Sequence, residues 1–218
     1  MVTILSCTPM NSEGTFRLAF RALIGLAMLM RIWFAFRLRR AGEQLLPDRA
    51  AIRREGWRVF GFRILLSLLL VAVIVLCALN PPWKPKLHFS LPFWARWAAF
   101  AVGLAGLGFW TWTHLALGTL WSPQLQLRAN HRLVTSGPYR RIRHPMYTAI
   151  LIWVASLGLV MANWIPILFA ALAAVFLVAR VPQEEQMMLE QFGDEYREYM
   201  RRTGRFLPKW RGSDAHPG

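Results

Sequence analysis

Acidic residues are scarce. The chain has 218 residues with 11 Asp and Glu against 26 Lys and Arg, a formal net charge of +15. Cysteine is scarcer still, with only Cys7 and Cys77 and no CxxC pair. That excludes a disulfide framework and any Cys-based metal spacing; both residues read as free thiols, and no metal site is expected. Residues 1–15 lack the basic start and cleavage pattern of a signal peptide. No nucleic-acid-reading motif accompanies the positive charge, so nucleic acid is not an expected partner. What the chain has instead is apolar bulk: 56% hydrophobic residues and a mean hydropathy of +0.33. They come in blocks rather than periodic stripes, which points to an integral membrane protein. The arginines cluster at the ends of these blocks, where they anchor to anionic head groups and set topology.

The blocks predict an all-α fold: a polytopic membrane helix bundle of about five transmembrane helices with a C-terminal amphipathic helix. Phe16–Phe36 is the least secure span, because Arg17, Arg21 and Arg31 interrupt it and must snorkel at its ends. Ile64–Leu79, extended back to Phe60, stops at Asn80-Pro-Pro. Phe93–Leu117 carries Gly103, Gly106 and Gly108, small residues that let helix backbones approach closely. Internal packing is the plainer reading of them, and oligomeric state stays open. Met146–Met161 and Trp164–Ala179 are short and form a hairpin across Ala162-Asn163. The tail from residue 181 is polar. Its Leu189, Phe192, Tyr196 and Tyr199 recur at helical spacing as an amphipathic helix. Three Arg-rich segments, around 37–58, 128–143 and 197–211, fall on one side of this topology. The positive-inside rule makes that side cytoplasmic. Residues 1–92 read as an N-terminal membrane region and 93–218 as a catalytic core. The basic composition and lack of an extended N-terminus suggest a bacterial inner-membrane protein.

Two polar segments carry the chemistry. The first runs from His131 to Tyr147 and holds Gly137-Pro138-Tyr139 and Arg143-His144-Pro145 between two apolar blocks. Such groups are costly to keep at a membrane edge, and binding something polar is a reason to keep them. Gly137 permits a tight or left-handed turn. Pro145 suits the first turn of a helix, where its missing amide costs nothing. His144 then sits at that helix N-terminus with Tyr147 in the same turn, and the exposed amides suit an anion. Topology anchoring explains the arginines equally well when they are taken alone. The second segment is Arg180-Val-Pro-Gln-Glu184-Glu185. Arg180 and Glu184 share a helix face provided the helix continues through Pro182; an ion pair at a membrane exit is the bland alternative.

Together, Leu133-Val-Thr-Ser-Gly-Pro-Tyr-Arg-Arg-Ile-Arg-His-Pro-Met-Tyr147 and the stretch from Arg180 through Glu184-Glu185 to Arg202, with Phe206-Leu-Pro208 beyond, resemble the isoprenylcysteine carboxyl methyltransferase family of integral membrane enzymes. The phospholipid N-methyltransferases share a shorter related pattern. The resemblance covers about residues 95–210. It implies methyl transfer from S-adenosyl-L-methionine on the cytosolic side to a lipophilic small-molecule or lipid acceptor arriving from the bilayer. A carboxylate acceptor is favoured, a thiol or amine possible. It further implies that Gln124, His131, Arg132, Leu133, Val134, Gly137, Pro138, Tyr139, Arg143, His144, Pro145 and Tyr147 line the donor pocket. Arg180, Glu184 and Glu185 form the implied catalytic element, with Glu184 on the donor, Arg180 on the substrate and Glu185 the lesser candidate. Arg132 departs from the pattern, since a neutral residue suits the surroundings of a sulfonium better.

An ionised carboxylate acceptor needs no general base, so in-line positioning does most of the work. Arg180 can hold it by charge-assisted hydrogen bonds. A thiol or amine acceptor would need a base, and His144 or Glu185 is nearest. Two other readings compete: a sterol-reductase-like enzyme using NADPH, and a non-catalytic protein that only binds membrane lipids.

Overall fold

The computed structural model describes residues 12–42, 53, 56–79, 84–118 and 133–209. Among them are six helices: α1 (Ser12–Arg40), α2 (Trp57–Leu79), α3 (Phe93–Leu117), α4 (Pro145–Met161), α5 (Trp164–Phe192) and α6 (Asp194–Arg202). Short 3-10 turns cover Lys84–Leu87 and Gly137–Arg140. No β-strand longer than an isolated bridge occurs among the described residues. The all-α membrane bundle is the fold.

Four helices, α1, α2, α3 and α5, are long and apolar enough to cross a membrane. The expected weak span, α1, is among them. The short one is α4, with 17 residues. Its role explains its length. It is wrapped by protein, and Ala149, Trp153, Val154, Leu157 and Val160 are all buried. A helix enclosed by its neighbours has little lipid-facing surface to match to the bilayer thickness.

The bundle alternates in direction. Phe16 meets Phe93 with ring centroids 5.4 Å apart, so α1 and α3 start at the same end. Arg96 Nε donates to the Val160 carbonyl at 2.9 Å, which brings the end of α4 there too. The buried Arg96 is completed by Glu13 and by the face of Phe16, 3.8 Å from its guanidinium carbon. Pairing of this kind is what keeps a buried cation tolerable. A single apolar cluster joins α1 to α5, including Phe16, Phe20, Leu23, Ala99, Trp153 and Phe169.

Two of the three α3 glycines make the close approach. A Cβ on Gly103 would lie 2.5 Å from Ser156 Oγ and 2.9 Å from Leu23 Cδ1. One on Gly106 would lie 3.0 Å from Ile152 Cγ2 and 3.4 Å from the Trp153 amide. Gly108 has open space within 4 Å. The expected internal packing is realised by α3 against α4.

The last helix departs most from expectation. Rather than ending near Ala179, α5 runs 29 residues to Phe192, straight through Pro182. Proline there removes one amide, which would have bonded to the carbonyl of Val178. The flanking turns hold the helix in spite of this. The amphipathic segment expected over Leu189–Tyr199 is split at Gly193, whose φ is +53°. Leu189 and Phe192 belong to α5, while the buried Tyr196 and Tyr199 anchor α6.

Candidate active site

The polar segments meet at the end of the bundle where α4 begins. Gly137 takes φ +58°, which opens the 3-10 turn against α3: a Cβ there would contact Ala116 Cβ at 3.3 Å and Trp112 Nε1 at 3.4 Å. Pro138 and Tyr139 are buried by that turn. Burial, with lesser contributions from Tyr199 and Glu184, holds the Tyr139 phenol well above its ordinary value. It stays neutral at any working pH. Pro145 occupies the first position of α4 with His144 as the residue before it, as the spacing predicts.

His144 is buried and lies between two carboxylates. Its Nε2 is 3.4 Å from Glu185 Oε1 and its Nδ1 is 3.9 Å from Glu184 Oε2. Its ring lies parallel to that of Tyr147, with centroids 5.6 Å apart. The Tyr147 hydroxyl donates to Glu184 Oε2 at 2.7 Å. These contacts exist because α5 is continuous, which puts Glu184 and Glu185 one turn beyond Arg180 and opposite the start of α4.

The two adjacent acids have different environments. The Glu185 side chain is 5% exposed and carries two arginines: Arg143 Nε at 2.8 Å, and Arg205 with NH2 at 2.7 Å and Nε at 3.3 Å. The Glu184 side chain is 28% exposed. Among the described residues, only the Tyr147 hydroxyl donates to it. Glu185 is thus committed to the protein, and Glu184 is presented outward.

Arg143 also ties the site to the C-terminal segment. Beyond Glu185 it donates to the carbonyls of Met200 at 3.1 Å and Thr203 at 2.5 Å. A backbone ladder runs beside it. The Gly204 amide donates to Arg141 O, the Arg143 amide to Gly204 O, and the His144 amide to Arg205 O, at 3.1, 2.9 and 3.0 Å. Thr148 Oγ1 donates to Phe206 O at 2.7 Å, and the Tyr199 hydroxyl to Tyr139 O at 2.7 Å. Residues 203–206 therefore form a strap across the start of α4. The bond to Glu185 raises the Arg205 pKa further.

Of the residues singled out from sequence, the structure brings together Tyr139, Arg143, His144, Pro145, Tyr147, Glu184 and Glu185. Arg180 is half-buried on α5, one turn before Glu184. Leu133 and Val134 are half-buried in the segment leading to Gly137-Pro138. Gln124, His131 and Arg132 lie outside the described residues. Sequence reasoning missed Thr148, Tyr199, Thr203, Gly204 and Arg205. Only Gly204, in a polar stretch after a helix, gave a turn signal; the others contact partners 20 to 60 positions away.

Residues 99–190 match the model of the isoprenylcysteine carboxyl methyltransferase (ICMT) family. The match covers less than half of the chain, and over that stretch the chain is similar to this family. The matched stretch takes in α3, the Gly137–Tyr147 turn and helix start, α4 and α5 through Glu184 and Glu185. Protein-S-isoprenylcysteine O-methyltransferase B of Arabidopsis thaliana is 35% identical over 86 residues, 39% of this chain and 44% of that protein. Cobalt-zinc-cadmium resistance protein CzcN of Cupriavidus metallidurans is 32% identical over 117 residues, 53% of this chain and 52% of that protein. The chain thus spans about half the length, or less, of these curated relatives. A solved structure of the eukaryotic intramembrane Ras methyltransferase ICMT superposes on 68% of this chain and 52% of its own, with a TM-score of 0.51 and 22% identity. That likeness gives the fold.

Proposed function

We propose that this chain is an integral membrane methyltransferase that uses S-adenosyl-L-methionine to methylate a lipophilic acceptor, with a carboxylate favoured. The observation that carries the reading is the contrast between Glu184 and Glu185. One acid is locked between arginines, while its neighbour keeps a partly exposed carboxylate oriented by Tyr147 beside a buried imidazole. The name of the Arabidopsis thaliana relative and the ICMT family model support it. We place the site on the cytoplasmic side, since the described arginines Arg37, Arg39, Arg40, Arg140, Arg141, Arg201 and Arg202 share its end of the bundle.

The residues present fit an adenosyl sulfonium donor. Glu184 supplies a negative acceptor for its hydroxyl or amino groups, and His144 and Tyr147 supply flat ring surface. When bound, the donor supplies an electrophilic methyl carbon. Everything else is positioning. Glu184 orients the donor. Tyr147 fixes the Glu184 carboxylate. The strap 203–206 holds His144 by its backbone amide. Arg180, one turn up α5, orients the acceptor carboxylate as it enters laterally from the bilayer. That carboxylate is ionised at pH 7 and attacks without giving up a proton.

The test is calorimetric binding of S-adenosyl-L-methionine to the detergent-purified protein, with Glu184→Ala and Arg180→Ala alongside. Saturable binding, lost in Glu184→Ala and kept in Arg180→Ala, is the expected result. Binding of a nicotinamide dinucleotide instead would turn the reading to a reductase. Folded protein that binds neither, with or without a prenylated cysteine analogue present, would refute the assignment.

A further inference from the structure

Beside the strap lies a second polar concavity that shares no lining residue with the His144–Tyr147–Glu184 cluster. It is an open groove of about 1000 Å³ between the Gly137–Arg140 turn and α6. Arg140 and Arg141 line one part of it, and Arg201, Arg202 and Lys209 another. Among the described residues, Glu198 is the one carboxylate on the groove. It is shared by Arg201 at 3.1 Å and Arg202 at 3.6 Å. Arg140 and Arg141 are exposed, and neither has a carboxylate within ion-pair distance among the described residues. Arg140 and Arg141 thus add positive charge beside the Glu198 cluster, and an anion between them relieves the repulsion.

Two further features say which anion. The turn that carries Arg140 packs through Gly137 on Ala116 and Trp112, at the end of the membrane-length helix α3, which sets its arginines at the depth of lipid head groups. Leu207, between the half-buried Phe206 and the groove residue Pro208, is 71% exposed. An exposed apolar side chain beside a cluster of cations is the pairing an interfacial segment uses, with the charge on the phosphate and the hydrocarbon among acyl chains. A soluble phosphate would give Leu207 nothing.

We propose that this groove binds the phosphate head group of an anionic membrane phospholipid, with Leu207 seated in the acyl region. The site is independent of the methyl-transfer reading. It draws α6 and the strap onto the membrane surface, on the same segment that holds His144.

The experiment uses the full chain, purified in detergent and stripped of lipid. Retention of dimyristoyl-phosphatidylglycerol and dimyristoyl-phosphatidylcholine is measured by native mass spectrometry. Thermal protection by each lipid and by inorganic phosphate is measured in parallel. Variants R140Q/R141Q and R201Q/R202Q remove two groove charges each; R17Q/R21Q removes two at the other end of the bundle. The expected result is phosphatidylglycerol retained over phosphatidylcholine, an affinity loss of about tenfold or more in either groove variant, and none in R17Q/R21Q. Equal retention of the two lipids, or groove variants that bind like the unsubstituted chain, would overturn the proposal. Protection by inorganic phosphate matching that of phosphatidylglycerol, unaffected by Leu207→Ser, would overturn its lipid part. A groove variant that unfolds is replaced by its Lys counterpart, R140K/R141K, which must retain the lipid.

Discussion

Replacing Glu185 by Gln should cost far more stability than replacing its surface-side partner Arg205. The Glu185 carboxylate is 5% exposed and the Arg143 side chain 9% exposed, at 2.8 Å. Removing the charge leaves the Arg143 guanidinium buried among neutral acceptors, which include the carbonyls of Met200 and Thr203 and the Thr203 hydroxyl. Breaking a buried pair in this way costs about 3–5 kcal/mol. Arg205 is 45% exposed on the same carboxylate, and a pair with one solvated partner is worth about 0–1 kcal/mol. For a chain of this size, about 1 kcal/mol moves the melting temperature by about 2–4 °C. Glu185→Gln should therefore lower the apparent melting temperature by about 6 °C or more, and Arg205→Gln by about 3 °C or less. Tryptophan fluorescence of the detergent-solubilised protein at one fixed scan rate reads both, since unfolding of membrane proteins in detergent is often irreversible. Glu184→Gln is the control. It should change melting little and donor affinity much. Similar small shifts for Glu185→Gln and Arg205→Gln, with Glu184→Gln the most damaging to stability, would refute the division of labour between the two acids.

Three other outcomes follow from the same geometry. Gly103→Ala should lose about 1–3 kcal/mol, because its Cβ meets Ser156 Oγ and Leu23, whereas Gly108→Ala should be close to neutral; melting curves compare them. Gly204→Ala should loosen the strap, since a Cβ there overlaps the Leu207 carbonyl oxygen, and limited proteolysis between α6 and Lys209 should speed up. Alkaline pH should destabilise the fold. Burial raises the phenols of Tyr139, Tyr196 and Tyr199 above the ordinary value of 10.0. Above that pH the unfolded chain releases these protons while the native fold keeps them, so stability is complete below pH 10 and falls as pH rises further. A melting temperature that holds steady between pH 9 and pH 11 would contradict this.

The sequence made some of this legible and hid the rest, for physical reasons. The apolar blocks locate α2 and α3 because membrane spans need long uninterrupted hydrophobic runs. The Gly137-Pro138 turn and the Pro145 helix start follow from backbone restrictions that those residues impose locally. The course of α5 was hidden. Pro182 and the loss of hydropathy after Ala179 both argue for a stop, yet tertiary contacts through the buried Val181 and Glu185 carry the helix on to Phe192. The strap was invisible for a different reason. Its bonds are backbone pairings between Arg141–His144 and Gly204–Arg205, which leave no side-chain pattern to read. The resemblance ranks Glu184 above Glu185, but the physical cause of their inequality was out of reach, since it depends on which one faces Arg143 across 42 positions.

The strap also fixes when the site can exist. His144 and Arg143 receive their backbone partners from residues 204 and 205, and chains emerge from the ribosome N-terminal end first. All five bundle helices are made, and can be inserted in the bilayer, before those partners appear. During synthesis the chain is therefore a membrane protein without an assembled centre, and its last step of maturation is the docking of a short peptide from the aqueous side.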